Sequence, residues 1–395
     1  LARCGRCFSN SDCGARLMHR AIVEVDLAAI TFNVQKIIKS TQTSVLAVVK
    51  ADGYGHGRVE VAQAALSAGA LWVGVALLEE AISLRTHGIS APLIAWLTPL
   101  HEDFDSALKH DIDLSVSSIE TLNAIVEAGK RTGIIPRIHV EVDTGMTRGG
   151  VLGGYEEFIT SVADLSQRNL IDVVGFWSHC ARADEPHSEF NQQQIDEFER
   201  KLAYAESHGV KPRLIHLANS AAALTNPLSH YNMLRLGIAM YGLSPDVNTM
   251  GSSTELGLQP AMTVKAELQL VKDVPAGSAV GYGGTAITQR ATKIGVVAMG
   301  YADGIPRNAN NLAGVFVAGK RAPLLGRVSM DQFVVDLGES TDAKTGDQVI
   351  VFGPGLQGEY TADDWGRASG TINYEIVTRI AARVPRLYNR GAALH

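Results

Sequence analysis

The chain has 395 residues, 46% hydrophobic and 19% charged, and its 35 basic and 41 acidic residues leave a formal net charge of -6. This is ordinary globular composition, which argues against disorder, and the charge balance gives no reason to expect nucleic acid or an anionic membrane as partner. No uninterrupted apolar run reaches the roughly 18 residues that a spanning helix needs.

The first residues, LARCGRCFSNSDCGAR, hold Cys4, Cys7 and Cys13, while the fourth cysteine, Cys180, lies in the body of the chain. No histidine or fourth cysteine stands at zinc-ligand spacing, so no metal is expected, and the segment lacks the apolar core of a secretory signal. Residues 1–17 are expected to be a leader or a mis-set start, outside the fold. With no disulfide framework and no signal, the cytoplasm is the expected location.

From AIVEV (21–25) onward the pattern is regular. Asp26 is a good helix N-cap, and Leu27, Ile30, Val34, Ile37 and Ile38 recur at helical spacing. VLAVVK (45–50) reads as a strand apolar on both faces. The strands LWVGVA (71–76), APLIAWL (91–97), DLSVS (113–117), RIHVEVD (137–143), DVVGFWSHC (172–180), RLIHLAN (213–219) and MLRLGIAMYG (233–242) follow, with helical segments between them. Eight such units from Val45 predict a parallel sheet closed into a (β/α)8 barrel of the TIM type, over about residues 27–250. AIVEV is one strand too many for that barrel.

Serine, glycine and proline collect in LSPDVNTMGSSTELGLQP (243–260), which reads as a linker. TVKAELQLV (263–271), KIGVVAMG (293–300), GVFVAG (314–319), QFVVDL (332–337) and QVIVFG (348–353) then predict a mostly antiparallel β domain over residues 251–395. The surplus strand 21–26 is expected to join it.

Barrels of this type gather reactive groups on the loops after their strands. Lys50, Asp143 with Arg148, His179, Asn219 with Ser220, and Arg235 with Gly237 all fall there. A lysine at the end of a buried strand can lose hydration, which lowers its pKa and frees the amine to attack a carbonyl. The ANSAA and RLGIAMYG loops offer a hydroxyl and backbone N–H groups suited to a phosphate. Lysine plus a phosphate site suggests pyridoxal phosphate. GxxxxGK[ST] is absent, which argues against a nucleotide P-loop.

VVKADGYGHG (48–57) resembles the pyridoxal-phosphate lysine motif of alanine racemases, the fold-type III family. VDTGMTRGG (142–150), SHCARAD (178–184), HLANSAA (216–222), NMLRLGIAMYG (232–242), VGYGGT (280–285), MGYADG (299–304), GRVSMDQ (326–332) and GTINYEI (370–376) match further family motifs in the same order. The resemblance implies that Lys50 would hold pyridoxal 5'-phosphate covalently and serve as one catalytic base. Tyr282 would be the other base, reaching across a homodimer interface to the opposite face of L- or D-alanine. One base removes the α-proton while the other protonates from behind, and the reverse direction exchanges their tasks. His179 would orient Tyr282, and Arg235, with His216 behind it, would face the pyridine nitrogen. Because arginine keeps its proton, it would leave that nitrogen unprotonated and restrain transamination. Tyr54, Ser220, Gly237, Ile238 and Tyr374 match the family's phosphate positions, with Asn219 beside them. Arg148 matches a residue near the cofactor phenolate and the substrate carboxylate. Tyr301 and Met330 match the part of the substrate pocket that the partner chain supplies.

Two departures stand out. Glu141 replaces a lysine that many relatives carry carbamylated. A carboxylate can present the same negative charge to Arg148, so no carbamate is expected. Ser329 stands where some relatives have cysteine. The expected activity is interconversion of L- and D-alanine, supplying D-alanine for peptidoglycan. The alternatives are a racemase of broader range, including serine, and a non-catalytic pyridoxal-phosphate carrier. A fold-type III decarboxylase is disfavoured, because the C-terminal part has no cysteine of the kind those enzymes use.

Overall fold

The computed structural model describes residues 19–389, so the leader expected over 1–17 lies outside the described residues. β1 (Ala21–Asp26) leads into a helix, Leu27–Thr41, whose N-cap Asp26 accepts the amides of Ala28 and Ala29. The barrel follows: β2 (Ser44–Val48), β3 (Trp72–Val75), β4 (Leu93–Ala95), β5 (Asp113–Val116), β6 (Arg137–Glu141), β7 (Asp172–Trp177), β8 (Leu214–His216) and β9 (Met233–Leu236). All pairings are parallel, in the order β8-β7-β6-β5-β4-β3-β2-β9. Between β8 and β9 the Arg235 amide donates to Ala218 O at 3.0 Å, and the Ile215 amide donates to the Asn232 side chain at 2.7 Å. The ring is thereby closed, and the predicted eight-stranded barrel is what forms.

Strand alternation assigns the two faces different work. The aliphatic set, including Leu114, Val116, Ile138, Val140, Leu234 and Leu236, is buried at 0% exposure and packs toward the helices. From β5 to β9 the other set is largely polar or aromatic: Asp113 and Ser115, His139 and Glu141, Trp177, His216 and Arg235. These residues meet one another inside the barrel, for example where Trp177 Nε1 donates to Ser115 Oγ at 3.0 Å. The strands from β5 to β9 are therefore two-sided, with a largely polar or aromatic inner face, while β2 is apolar on both faces as expected, Val45 and Leu46 both being at 0% exposure.

The C-terminal part contains β10 (Met262–Val274), β11 (Ala279–Val280), β12 (Ala286–Ile287), β13 (Thr292–Val297), β14 (Gly314–Val317), β15 (Lys320–Pro323), β16 (Phe333–Gly338), β17 (Gln348–Phe352) and β18 (Arg386–Asn389). Its main sheet runs β15-β14-β17-β10-β1-β18, with β13 joining β10 to β16. β1 pairs antiparallel with β10, Val23 opposite Val264, and parallel with β18, Val23 opposite Arg386. The surplus strand thus sits inside this sheet. Trp365, fully buried, donates to Val351 O at 2.8 Å and anchors a short helix against it.

Candidate active site at the barrel mouth

Lys50 leaves β2 into a sharp turn. Ala51, Asp52, Gly53 and Tyr54 all hold positive φ, between 51° and 60°. Three non-glycine residues in the left-handed region are costly, so the surroundings must impose the turn. Glu80 supplies part of that constraint, since its Oε1 accepts the Ala51 amide at 2.7 Å and its Oε2 accepts the Ala76 and Leu77 amides. The C-terminal body supplies the rest. Arg386 Nε donates to Gly55 O at 3.2 Å, and a Cβ on Gly55 would lie 2.2 Å from Val377 O. That glycine is needed for close approach as much as for its φ of 80°.

The turn delivers Lys50 into a cavity of about 870 Å³ lined also by Tyr54, Trp96, Glu141, Arg148 and Trp177. Burial lowers the Lys50 pKa below 10.5, as do the Arg148 and Arg235 charges, while Glu80 opposes them. Its Nζ stands 5.9 Å from the Trp96 ring centroid.

Opposite Lys50, Tyr54 stacks on Tyr241 at 4.8 Å. Ser220 Oγ accepts the Gly237 amide at 2.9 Å and the Ala239 amide at 3.3 Å. A Cβ on Gly237 would stand 2.7 Å from the Tyr54 hydroxyl, so glycine keeps this cup open. Asn219 caps the following short helix and donates to Cys180 O. Ile238 and Tyr374 complete the cup, and Asn373, beside Tyr374, donates to Ser244 O at 2.9 Å.

Arg235 lies under the cavity, 4.8 Å over the Trp177 ring. Its Nη1 donates to His216 O at 2.8 Å and to His216 Nδ1 at 3.3 Å. Its Nη2 donates to Ser178 O, to Leu217 O and to His179 Nδ1 at 3.2 Å. Nε has no acceptor among the described residues. Burial lowers the Arg235 pKa to about 10, which still leaves it charged at neutral pH. His179 and His216 are pushed well below 6.5, first by burial and then by Arg235, so both are neutral.

Arg148 rides on a loop folded around Asp143, whose Oδ1 accepts the amides of Gly145 and Thr147. Glu141 shares the cavity wall, but burial raises its pKa to about 7 against the pull of Arg235 and Arg148, and it forms no salt bridge with Arg148 among the described residues. The charge expected of it is therefore only partly present at neutral pH.

Of the residues singled out from sequence, Lys50, Tyr54, Arg148, His179, Asn219, Ser220, Arg235, Gly237, Ile238 and Tyr374 meet in this one cavity, and His216 stands directly behind it. Tyr282, Tyr301 and Met330 do not line it. They are 69%, 37% and 54% exposed on the C-terminal body, where the Tyr301 amide donates to Ser329 O and the Ala302 amide to Met330 O. Sequence reasoning missed Glu80, Trp96, Trp177 and Gln194. The two tryptophans carried a signal in their strand parity. Gln194 carried none, being one of three consecutive glutamines in a helix.

A barrel with a desolvated lysine at the tip of its first strand, facing a hydroxyl-and-amide cup and a buried arginine, defines a lysine-dependent barrel enzyme with an appended β body. Similarity to known proteins narrows this class. Residues 25–245 match the model for the alanine racemase N-terminal domain, and residues 261–388 the model for the alanine racemase C-terminal domain. The chain belongs to the alanine racemase family. It is 46% identical over 378 residues to an alanine racemase of Salinispora tropica, covering 94% of this chain and 99% of that one. It is 43% identical over 376 residues to an alanine racemase of Streptomyces coelicolor, covering 93% and 96%. The crystal structure of alanine racemase from Streptomyces lavendulae superposes with a TM-score of 0.93 at 44% identity, covering 95% and 99%. An alanine racemase of Clostridium difficile gives 0.88 at 34%, covering 95% and 97%.

Proposed function

We propose that this protein is an isomerase that interconverts L- and D-alanine with pyridoxal 5'-phosphate held at Lys50, and that it works as a homodimer. The observation that carries the reading is the single cavity that joins Lys50, the cup of Tyr54, Ser220 and Gly237, and the buried Arg235. The cup fits a phosphate: it has the hydroxyls of Tyr54, Ser220 and Tyr374, backbone amides and a glycine where a Cβ would crowd Tyr54. The Arg235 Nε–H, left without an acceptor among the described residues, fits an unprotonated ring nitrogen. The bound cofactor would draw electron density from the substrate α-carbon and so acidify its proton.

Around it the chain's own residues divide the work. Lys50, its pKa lowered, takes or gives a proton at Nζ on one face of the α-carbon. Arg148 holds the substrate carboxylate. Tyr282 of the partner subunit serves the other face, with Tyr301 and Met330 of the partner subunit closing the pocket. Their exposure on the monomer supports this assignment, because three residues of one family site stand outside their own chain's cavity. His179, with Nδ1 occupied by Arg235, keeps its proton on Nε2 as a donor for the phenolic oxygen of that tyrosine. We divide the chain into a barrel, 27–250, and a β body, 251–395, completed by strand 21–26. Its assigned role is cytoplasmic supply of D-alanine for peptidoglycan, a reading supported by family membership.

Assay of purified protein with L-alanine and with D-alanine tests the reading. Conversion in both directions is expected, with loss in Lys50→Ala. Comparable turnover of serine would replace alanine racemisation with the broader assignment, and cofactor binding without turnover would replace it with a carrier.

A further inference from the structure

Beneath Arg235 the barrel interior contains polar groups that the proposed reaction does not use. His216 Nε2 lies 3.0 Å from His139 Nδ1, His139 Nε2 lies 3.3 Å from Asp113 Oδ2, and Asp113 Oδ1 accepts from Arg137 Nε at 2.6 Å. His139 and Asp113 are at 0% exposure and His216 at 1%. The line crosses the barrel from β5 through β6 to β8 and β9. It must pass β7, and it does so at Gly175, where a Cβ would stand 2.0 Å from His139 Nδ1. Any side chain there would part the two imidazoles.

The ends of the line dictate its direction. A guanidinium can only donate, and an ionised carboxylate can only accept. Asp113 therefore requires the proton of His139 on Nε2, which leaves His139 Nδ1 as an acceptor for Nε2–H of His216. His216 then presents a bare Nδ1 to Arg235 Nη1. The reverse threading would set an N–H of His216 against an N–H of Arg235. Trp177, stacked parallel to His216 at 5.8 Å, and Trp72, edge-on to His139 at 5.5 Å, hold the rings in these planes.

We propose that Asp113 and His139 are positioning residues for Arg235, acting through His216 along a one-way hydrogen-bond line that Gly175 lets through. This rests on the reading of Arg235 as the partner of the cofactor ring nitrogen. A guanidinium whose Nη1 loses its aim can no longer keep Nε toward the cavity. The restraint on transamination would weaken: the alanine amino group would pass to the cofactor, leaving it in its amine form, water would supply the keto oxygen, and pyruvate would be released at the expense of racemised alanine.

Neutron diffraction from a deuterated, cofactor-free crystal of the unmodified protein tests the direction without any activity assay. Deuterium is expected on Nε2 and not on Nδ1 of both His139 and His216, and deuterium on Nδ1 of His216 overturns the proposal. In the loaded enzyme, His139→Leu and Asp113→Leu should raise the ratio of pyruvate formed to alanine racemised about tenfold or more, the scale on which outer hydrogen-bond partners act. Asp113→Asn has one acceptor oxygen for two sets of donors; with that oxygen turned to Arg137 its N–H2 faces His139 Nε2, so it should raise the ratio as the leucine variants do. Leucine variants that melt like the parent yet keep its ratio overturn the proposal, and if they fail to fold the neutron map decides. An inactive parent would overturn the alanine racemase reading, while the deuterium positions would still decide the direction of the hydrogen-bond line.

Discussion

Arg235 donates from Nη2 to Nδ1 of His179 at 3.2 Å, and that contact leaves the imidazole a single proton, on Nε2. Burial, and then the charges of Arg235, Arg148 and Lys50, keep a second proton off the ring. His179 should therefore not titrate in the working range. The pH profile of kcat/KM in His179→Gln is expected to keep any inflection that the parent shows near neutrality, while kcat falls about a hundredfold, the contribution of one positioned proton partner. An inflection that vanishes with the histidine would contradict this.

Glu141 is the cavity group placed to titrate near neutrality. Burial lifts its pKa from 4.5 to about 7. Between those values the folded chain keeps a proton that the unfolded chain has released, so the group's support for folding is full below about 4.5 and is lost as pH rises through about 7. Glu141→Gln cannot ionise. From about pH 5 to pH 8 it should lose roughly 2 kcal/mol less stability than the parent, as read by urea denaturation of cofactor-free protein. Equal slopes for the two proteins would show that the carboxyl is not desolvated as described.

If sites are shared between subunits as proposed, the two bases should complement each other in trans. Lys50→Ala and Tyr282→Phe should each lose about 10²–10⁴ in kcat, as expected for a missing base. Mixed by refolding in equal amounts, the two variants should recover about a quarter of parent activity. Half the dimers would then be mixed, and each would hold one intact site. Activity no greater than that of the separate variants would place both bases in one chain.

Gln194 should matter more than its place in a helix suggests. It is 1% exposed, accepts the Ala181 amide at 2.7 Å, and donates to Thr144 Oγ1 at 3.0 Å and to His179 O at 3.1 Å. One amide thus joins the loop bearing His179 to the loop bearing Arg148. Gln194→Leu is expected to cost about 2–3 kcal/mol in denaturant unfolding, because it leaves buried polar partners unmatched. A loss under half a kcal/mol would mean that the loops hold each other without it.

Much of the barrel could be read from the chain because strand, helix and turn signals alternate cleanly from Ala21 to Tyr241. The lysine turn, the cup residues and Arg235 could be found because they stand at strand ends within family motifs. The polar interior was hidden by length: in three-, four- and five-residue strands such as Leu214–His216, one polar residue every second position looks like noise in an apolar run. β15 and β18 escaped because KRAP and RLYN carry no strand alternation, yet the pairing of Lys320 with Val317 and of Arg386 with Val23 makes them strands. Their structure comes from the partner strand, which local sequence does not encode.

The pairing of β1 also sets a timetable for synthesis. Residues 21–26 are made long before their partners, residues 262–266 and 386–389. At about 5–20 residues per second, this apolar strand waits roughly ten seconds or more with both edges bare while the barrel is made behind it. A nascent chain therefore carries a sticky edge for nearly its whole time of translation, and agents that cover such edges should be most needed before the last strand emerges.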